Sequence, residues 1–277
     1  MTSIRIGVVS YVGSRFSESQ GDRGLGRLLE VALKDLGIGT DVRITTEDSG
    51  DRYGIQITPS TVQESLTEQF TIQRQWSRFL HQEQGLRWWF RYGLRFGHRA
   101  VQRIDRPPVS MISRLLNIEA AHRDLLSWGS EDGSDWILIL EDDAVSDDVS
   151  DLAAGLRGIT EASDSPCYMN FSESFSSSEL GVEHLLSVTD SARWEGSRAR
   201  AIWQSTLPIT NTVCAILYRA DFARQLLNAY EELPLEPVLP IDWKLNAALM
   251  LMHERGEISA DKCWQVEPAP ILQMSMR

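Results

Sequence analysis

One short stretch constrains the fold of this chain more than any other. Residues 136–140 read Trp-Ile-Leu-Ile-Leu, and the next three residues are Glu141, Asp142 and Asp143. An uninterrupted apolar run of this length predicts a strand that is buried on both faces of a sheet. In open α/β sheets, ligands bind at the carboxyl ends of the strands, and the three acids follow directly after such an end.

The spacing of the three acids predicts how they point. Residues i and i+2 of an extended segment project to the same side, so we expect Glu141 and Asp143 to point together and Asp142 to point away. Two carboxylates so close repel each other unless a cation lies between them, and carboxylate oxygens are the ligands of hard divalent cations. We therefore predict a metal site at Glu141 and Asp143, with a solvated acidic turn as the alternative.

Strands and helices alternate along most of the chain. Apolar runs and helical periodicity predict strands at 4–11, 41–46, 136–140 and 213–218, and helices at 24–36, 110–128 and 220–230. This alternation is typical of an open α/β sheet with helices on its faces. The chain has 277 residues, and we predict a single domain over 1–277 that contains a helical insertion at 47–108.

The segment 85–106 differs in composition from the rest of the chain. It holds six arginines and one acid, a charge of 6 − 1 = +5, whereas the whole chain carries −12. Five of these arginines recur every fourth residue and form a slanted stripe on a helix, with aromatic residues between them. Such a helix either pairs with the acidic body of the protein, or it contacts an anionic membrane surface or an acceptor substrate. Both interpretations stay open.

Composition also limits the partners and the location. The net charge of −12 argues against nucleic-acid binding, because a phosphate backbone repels an acidic protein. No apolar run reaches the length of about 18 residues that a membrane-spanning helix needs, and the N-terminus lacks the pattern of a signal peptide. Three widely separated cysteines, Cys167, Cys214 and Cys263, predict reduced thiols rather than a disulfide or a spaced metal motif. We therefore expect a cytoplasmic protein, and under the second interpretation of 85–106 this segment makes peripheral contact with the inner face of the membrane.

A further candidate acid, Asp242, stands at the start of a predicted helix near the C-terminus. Asp242 stands where a helix N-cap belongs, and the helix is expected to run to about His253. Asp242 is either a capping residue or a general base whose ionised form is favoured by the helix dipole, and both interpretations stay open. The five histidines form no spaced pair, so they predict neither a histidine-based metal site nor a triad.

The order of these motifs resembles a known family. A first strand and loop are followed by a helix with a Ser/Arg/Asn face, and then by the strand that ends in Glu-Asp-Asp. Next come Thr-x-x-Ala-x-x-Tyr-Arg at 212–219, Pro-Ile-Asp-Trp at 240–243, and a Pro-containing tail that reaches Gln273. This order resembles the GT-A type of nucleotide-sugar glycosyltransferase and, more narrowly, family 25, the lipooligosaccharide galactosyltransferase type. The chain departs from the family where Ser113 is followed by Arg114 instead of histidine, and 47–108 has no counterpart.

The resemblance implies a fold, an activity and a set of site residues. The fold is a GT-A-like, Rossmann-like open mixed sheet flanked by helices. The activity is metal-dependent transfer of a sugar, with inversion, from a nucleoside diphosphate donor (UDP-sugar foremost) to a hydroxyl of a glycan or lipid-linked acceptor, with Mn²⁺ or Mg²⁺ as cofactor. The implied metal ligands are Glu141 and Asp143, the implied donor-binding residues are Val9, Ser10, Tyr11, Arg114, Asn117 and Asp142, and the implied catalytic carboxylate is Asp242.

Two other classes of protein stay open. A cation held by carboxylates on a diphosphate does not determine which bond breaks, so a nucleotidyl or phosphoryl transferase would use the same acids. A catalytically inactive GT-A-like binding protein is the other class. The chain lacks both a P-loop motif and a Gly-x-Ser-x-Gly motif, which argues against a P-loop ATPase and an α/β-hydrolase.

Overall fold

The computed structural model describes residues 2–10, 16, 24–45, 109–131, 133–172, 185–207, 212–233 and 241–274. Within these ranges the chain forms ten strands, five α-helices and a 3-10 helix at Ala260–Lys262. The strands are β1 (Ser3–Val9), β2 (Gly39–Ile44), β3 (Trp136–Glu141), β4 (Ala144–Val145), β5 (Tyr168–Asn170), β6 (Leu186–Val188), β7 (Ala201–Ser205), β8 (Ala215–Arg219), β9 (Cys263–Glu267) and β10 (Leu272–Gln273). The helices are α1 (Leu25–Asp35), α2 (Val109–Gly129), α3 (Val149–Thr160), α4 (Ala220–Glu232) and α5 (Ile241–Glu254).

Eight of the strands form one mixed sheet in the order β2-β1-β3-β8-β5-β9-β7-β6. β1 pairs in parallel with both β2 and β3, whereas β8 runs antiparallel to β3 and to β5. β4 and β10 form a separate antiparallel pair. The prediction of an α/β fold with an open mixed sheet is therefore confirmed.

Helices cover both faces of this sheet. α1 and α3 pack on one face, where Leu29 and Leu138 belong to the same apolar core. α2, α4 and α5 pack on the other face, where Leu125 and Ile139 belong to a second core. Successive residues of β3 supply the two cores in turn, so the strand must be apolar throughout. Its last residue, Glu141, is the one position of β3 that is not fully buried.

The observed boundaries differ from the predicted ones by a few residues. β1 ends at Val9, β2 starts earlier at Gly39, and β3 continues through Glu141. α5 begins at Ile241, so Asp242 lies in the first turn of the helix and not at the cap position that the sequence indicated. α3 and β4–β7 were not predicted from the sequence.

Some predictions fall on residues outside the described ranges. These are the helical insertion at 47–108, the arginine-rich segment 85–106 within it, and Tyr11. Among the residues that the structure describes, no helix is long and apolar enough to cross a membrane.

Candidate metal centre

The three acids lie at the carboxyl end of β3. Glu141 is the last residue of the strand, and Asp142 and Asp143 form the turn that leads into β4. The strands on either side hold this turn through backbone hydrogen bonds. The Glu141 N–H donates to the Cys214 carbonyl at 2.8 Å, and the Asp142 N–H donates to the Val9 carbonyl at 3.0 Å. The acids are thus fixed to the central strands of the sheet.

The side chains of this turn separate into two groups. One carboxylate oxygen of Glu141, one of Asp143 and the sulfur of Cys214 all lie within 4.8 Å of one another. Asp142 instead accepts a hydrogen bond from the Ser10 hydroxyl at 3.0 Å. The prediction that Glu141 and Asp143 point together, with Asp142 directed elsewhere, is confirmed. The reason differs from the predicted one, because β3 stops at Glu141 and a turn brings Asp143 beside it.

Two further side chains meet Glu141. The Gln273 side-chain amide donates to Oε2 of Glu141 at 2.9 Å, and the Met274 N–H donates to the Asp143 carbonyl at 3.0 Å. On the other side, Nε2 of His122 lies 4.0 Å from Oε1 of Glu141. His122 is 2% exposed, and its Nε2 has no hydrogen-bond partner in the described part of the chain. A buried polar atom left in this state costs about 1–3 kcal/mol, so its place beside Glu141 suggests a role at the site.

Cys214 completes the cluster from the neighbouring strand. It is fully buried directly before β8, and its thiol interacts with the Ser172 hydroxyl. Burial raises the pKa of the Cys214 thiol well above its usual value, and the charges of Glu141 and Asp143 raise it further. The thiol is therefore protonated at neutral pH unless a cation replaces the proton.

Two of the residues expected to bind the donor, Val9 and Ser10, contact the turn through Asp142. The Ser10 N–H donates to Oγ1 of Thr45 at 2.8 Å, which fixes the end of β1 beside Asp142. The side chain of Val9 belongs to the core, so its backbone alone is available at this edge. Asn117 is buried on α2, and its Oδ1 has no hydrogen-bond partner within the described residues. Arg114 lies on the same helix, and its side chain is outside the described part.

Asp242, the expected catalytic carboxylate, is not one of the three clustered donors. It lies in the first turn of α5, where its charge acts on the buried Tyr230. Two residues further on, Nζ of Lys244 is 2.6 Å from Oε2 of Glu119 on α2, and these side chains are 8% and 3% exposed. Burial raises the pKa of Glu119 above its usual value, although Lys244 opposes this shift. The buried ion pair joins the helix of Asp242 to the helix that carries His122.

An open cavity of about 520 Å³ lies elsewhere, at the amino end of β3. Its lining includes Asp135, Arg219, Asp221 and Arg224. These charges are engaged within the protein: Arg219 is 2.5 Å from Asp221, Arg224 donates to a backbone carbonyl, and Asp135 accepts from the backbone N–H of Ser3. The size of this cavity favours it as a ligand site, but its chemistry does not. The acidic turn is therefore the candidate functional site.

The clustered donors fit a divalent cation. Two carboxylate oxygens and a sulfur converge from β8 and from the end of β3, and an imidazole nitrogen lies next to them. Sequence reasoning found the acids but missed Cys214, Gln273 and His122. No local signal marks these three residues, since each reaches the acidic turn through long-range packing.

No family model matches the chain, and no curated protein matches it. The fold and the site define a class nonetheless: an α/β protein with a candidate cation site at the carboxyl end of a central strand.

Proposed function

We propose that the protein is a metal-dependent glycosyltransferase of the GT-A type. It would transfer a sugar, with inversion, from a nucleoside diphosphate donor to an acceptor hydroxyl. The observation that carries this proposal is the convergence of the Glu141 and Asp143 carboxylates within 4.8 Å at the carboxyl end of β3. The order of motifs in the sequence, which resembles family 25, supports the choice of donor.

The residues of the turn have separate tasks in this proposal. Glu141 and Asp143 would hold Mn²⁺ or Mg²⁺, and a cation bound there would supply positive charge for the diphosphate of the donor. Asp142 is oriented by its 3.0 Å hydrogen bond from Ser10 and receives the ribose of the donor. Asn117, on the helix that packs against β1 and β3, offers a buried amide oxygen on the side of the nucleotide.

Asp242 is the proposed general base. It accepts the proton of the acceptor hydroxyl as that hydroxyl attacks the anomeric carbon. The transition state resembles an oxocarbenium ion, and the leaving nucleoside diphosphate needs no strong acid. The position of Asp242 in the first turn of α5 favours its ionised form through the helix dipole.

Thermal melting tests the donor site directly. The full chain is melted with a panel of nucleoside diphosphates and nucleotide sugars, with and without Mn²⁺. A ligand at a hundredfold excess over its Kd stabilises the native state by about 2.7 kcal/mol. We expect a Mn²⁺-dependent rise in Tm with one nucleotide, and loss of that rise in Asp143→Ala. Asp147→Ala, which removes an exposed acid from the same segment, is the matched control. A full shift in Asp143→Ala would refute the assignment.

Product analysis separates the alternatives. A glycosyltransferase releases a free nucleoside diphosphate, whereas a nucleotidyl transferase that uses the same acids releases pyrophosphate. If no nucleotide and no cation changes the Tm, the chain is instead an inactive binding protein, and Glu141 to Asp143 form an acidic turn.

The acceptor side includes a proposed membrane contact. The segment 85–106 carries +5 in a chain of −12, and basic aromatic helices bind anionic lipid surfaces. We propose that it holds the protein at the inner face of a membrane, near a lipid-linked acceptor. Replacing Arg87, Arg91 and Arg95 by Glu should abolish binding to anionic vesicles at low salt. Failure of the unmodified chain to bind such vesicles would rule out this contact.

A further inference from the structure

Cys214 is the donor that the proposed mechanism does not use. Its position follows from the sheet, because β3 and β8 are antiparallel neighbours with Leu140 opposite Ala215. The Cys214 carbonyl accepts the 2.8 Å hydrogen bond from the Glu141 N–H, so the two residues are held side by side. The pairing of β3 with β8 thereby places the sulfur within 4.8 Å of an oxygen of each carboxylate.

The separation of these donors suits coordination of one small cation. A tetrahedral zinc ion places a bound oxygen and a bound sulfur about 3.5 Å apart. Donors that lie within 4.8 Å of one another therefore need to move about 1 Å closer together to bind one ion. Rotation of the Glu141 and Asp143 side chains is the movement that we expect to bring them there.

The chemistry of the donors is the second argument. Carboxylate and water oxygens alone suit Mg²⁺, whereas thiolate sulfur and imidazole nitrogen favour Zn²⁺ and related transition metals. Here a buried sulfur joins the two carboxylates, and Nε2 of His122, buried and without a hydrogen-bond partner in the described ranges, lies 4.0 Å from Glu141. Neither group is a preferred ligand of Mg²⁺, so of the two cations that the family resemblance implies, this donor set disfavours Mg²⁺.

We propose that Glu141, Asp143 and Cys214 form a mixed carboxylate–thiolate site that selects Zn²⁺ or Co²⁺ over Mg²⁺. The inference rests on the proposed function in one respect, namely that this cluster holds the cation, and it is independent of sugar transfer. On coordination the thiol releases its proton to solvent and the thiolate binds the metal.

Cobalt is the probe that reports the sulfur. The full chain is freed of metal and titrated with Co²⁺, and the thiolate-to-cobalt charge-transfer band is followed in the near-ultraviolet. We expect the band in the unmodified chain and in Cys167→Ser, and its loss in Cys214→Ser. Cys167 is the matched control because it is also buried but does not belong to the cluster. Circular dichroism of the metal-free variants establishes that they fold.

Competition against Co²⁺ measures selectivity. We compare the concentrations of Zn²⁺ and Mg²⁺ that displace half of the bound Co²⁺. The Zn²⁺ concentration should be lower by a factor on the order of 100 or more, because a ligand set that includes a thiolate favours Zn²⁺. Because Cys214→Ser is expected to lack the band, bound Co²⁺ is measured in both chains by equilibrium dialysis. The ratio should fall at least about tenfold in Cys214→Ser, since loss of even a residue that only supports a metal ligand weakens metal binding by about 10–100-fold.

The outcomes distinguish the two proposals. If the unmodified chain shows no charge-transfer band but still gains stability with Mn²⁺ and a nucleotide, the thiolate inference is overturned and the proposed function stands. Retention of the band in Cys214→Ser also overturns it. A band that depends on Cys214, together with no response to any nucleotide, supports the mixed site and refutes the transferase. If no cation binds at all, both proposals fail.

Discussion

Replacing Lys244 by Met should destabilise the protein strongly, because it removes the nearer cation of the buried acid Glu119 and leaves Arg123 at 3.9 Å. Nζ of Lys244 is 2.6 Å from Oε2 of Glu119, and the two side chains are 8% and 3% exposed. At that distance and an effective dielectric constant of about 20, their attraction is about 6 kcal/mol, which offsets part of the cost of desolvating both ions. Loss of one partner of a buried pair costs about 3–5 kcal/mol, and we expect Lys244→Met to lower the free energy of unfolding by that amount at pH 7.

The pH dependence follows from the sign of the shift at Glu119. Burial raises the pKa of Glu119 above its usual value, and Lys244 acts in the opposite direction. Removal of Lys244 therefore raises the pKa of Glu119 further. An acid whose pKa is raised by folding favours the native state below its unfolded pKa, and this stability is lost as the pH rises through the folded pKa. The penalty of Lys244→Met should therefore be smaller at pH 4 than at pH 7.

Urea unfolding at several pH values measures these effects. The control is Lys34→Met, which removes a pair of nearly equal length, 2.7 Å to Glu30, from a lysine side chain that is 55% exposed. This exposed pair should contribute about 1 kcal/mol or less. The double variant Glu119→Met with Lys244→Met should recover most of the lost stability. A cost below 1 kcal/mol for Lys244→Met, or a double variant as unstable as the sum of its parts, would refute the reasoning.

Three further predictions concern the site and its support. Asp242→Asn should lower turnover with little loss of donor binding in a titration, and a parallel fall of turnover, donor binding and Tm would show a structural role instead. Ser10→Ala removes the hydrogen bond to Asp142, so calorimetry should show weaker nucleotide binding at unchanged cation affinity, with about 1 kcal/mol of stability lost. Gly155→Ala places a methyl group into the ring of Trp194, and this overpacking should cost about 1–3 kcal/mol in urea unfolding.

The central part of the fold could be predicted because its signal is local. β3 is buried on both faces, so an uninterrupted apolar run marks it without any knowledge of its neighbours. β4, β5 and β6 are only two or three residues long, too short to show a period of alternation. The start of α5 differs from the prediction by two residues, because Asp242 has the chemistry of a cap but lies inside the first turn of a helix that begins at Ile241.

The site could be predicted in part, and the limit has a physical origin. Glu141 and Asp143 are neighbours in sequence, so their convergence follows from local geometry. Cys214 joins them because β8 pairs with β3 in one particular register, and a register is set by the assembled sheet rather than by residue spacing. His122 arrives through the packing of α2, and Gln273 through the pairing of β10 with β4.

The contact between Gln273 and Glu141 has a consequence for biosynthesis. The two residues are 132 positions apart, so a ribosome that adds about 5–20 residues per second makes the second roughly 7 to 26 seconds after the first. During that interval the nascent chain carries the acidic turn without the strand that closes it, because loop closure over such a span must wait for β10. The cation site is thus among the last parts of the molecule to be completed, and an arrested chain that ends before residue 272 exposes its carboxylates without the hydrogen bonds that orient them.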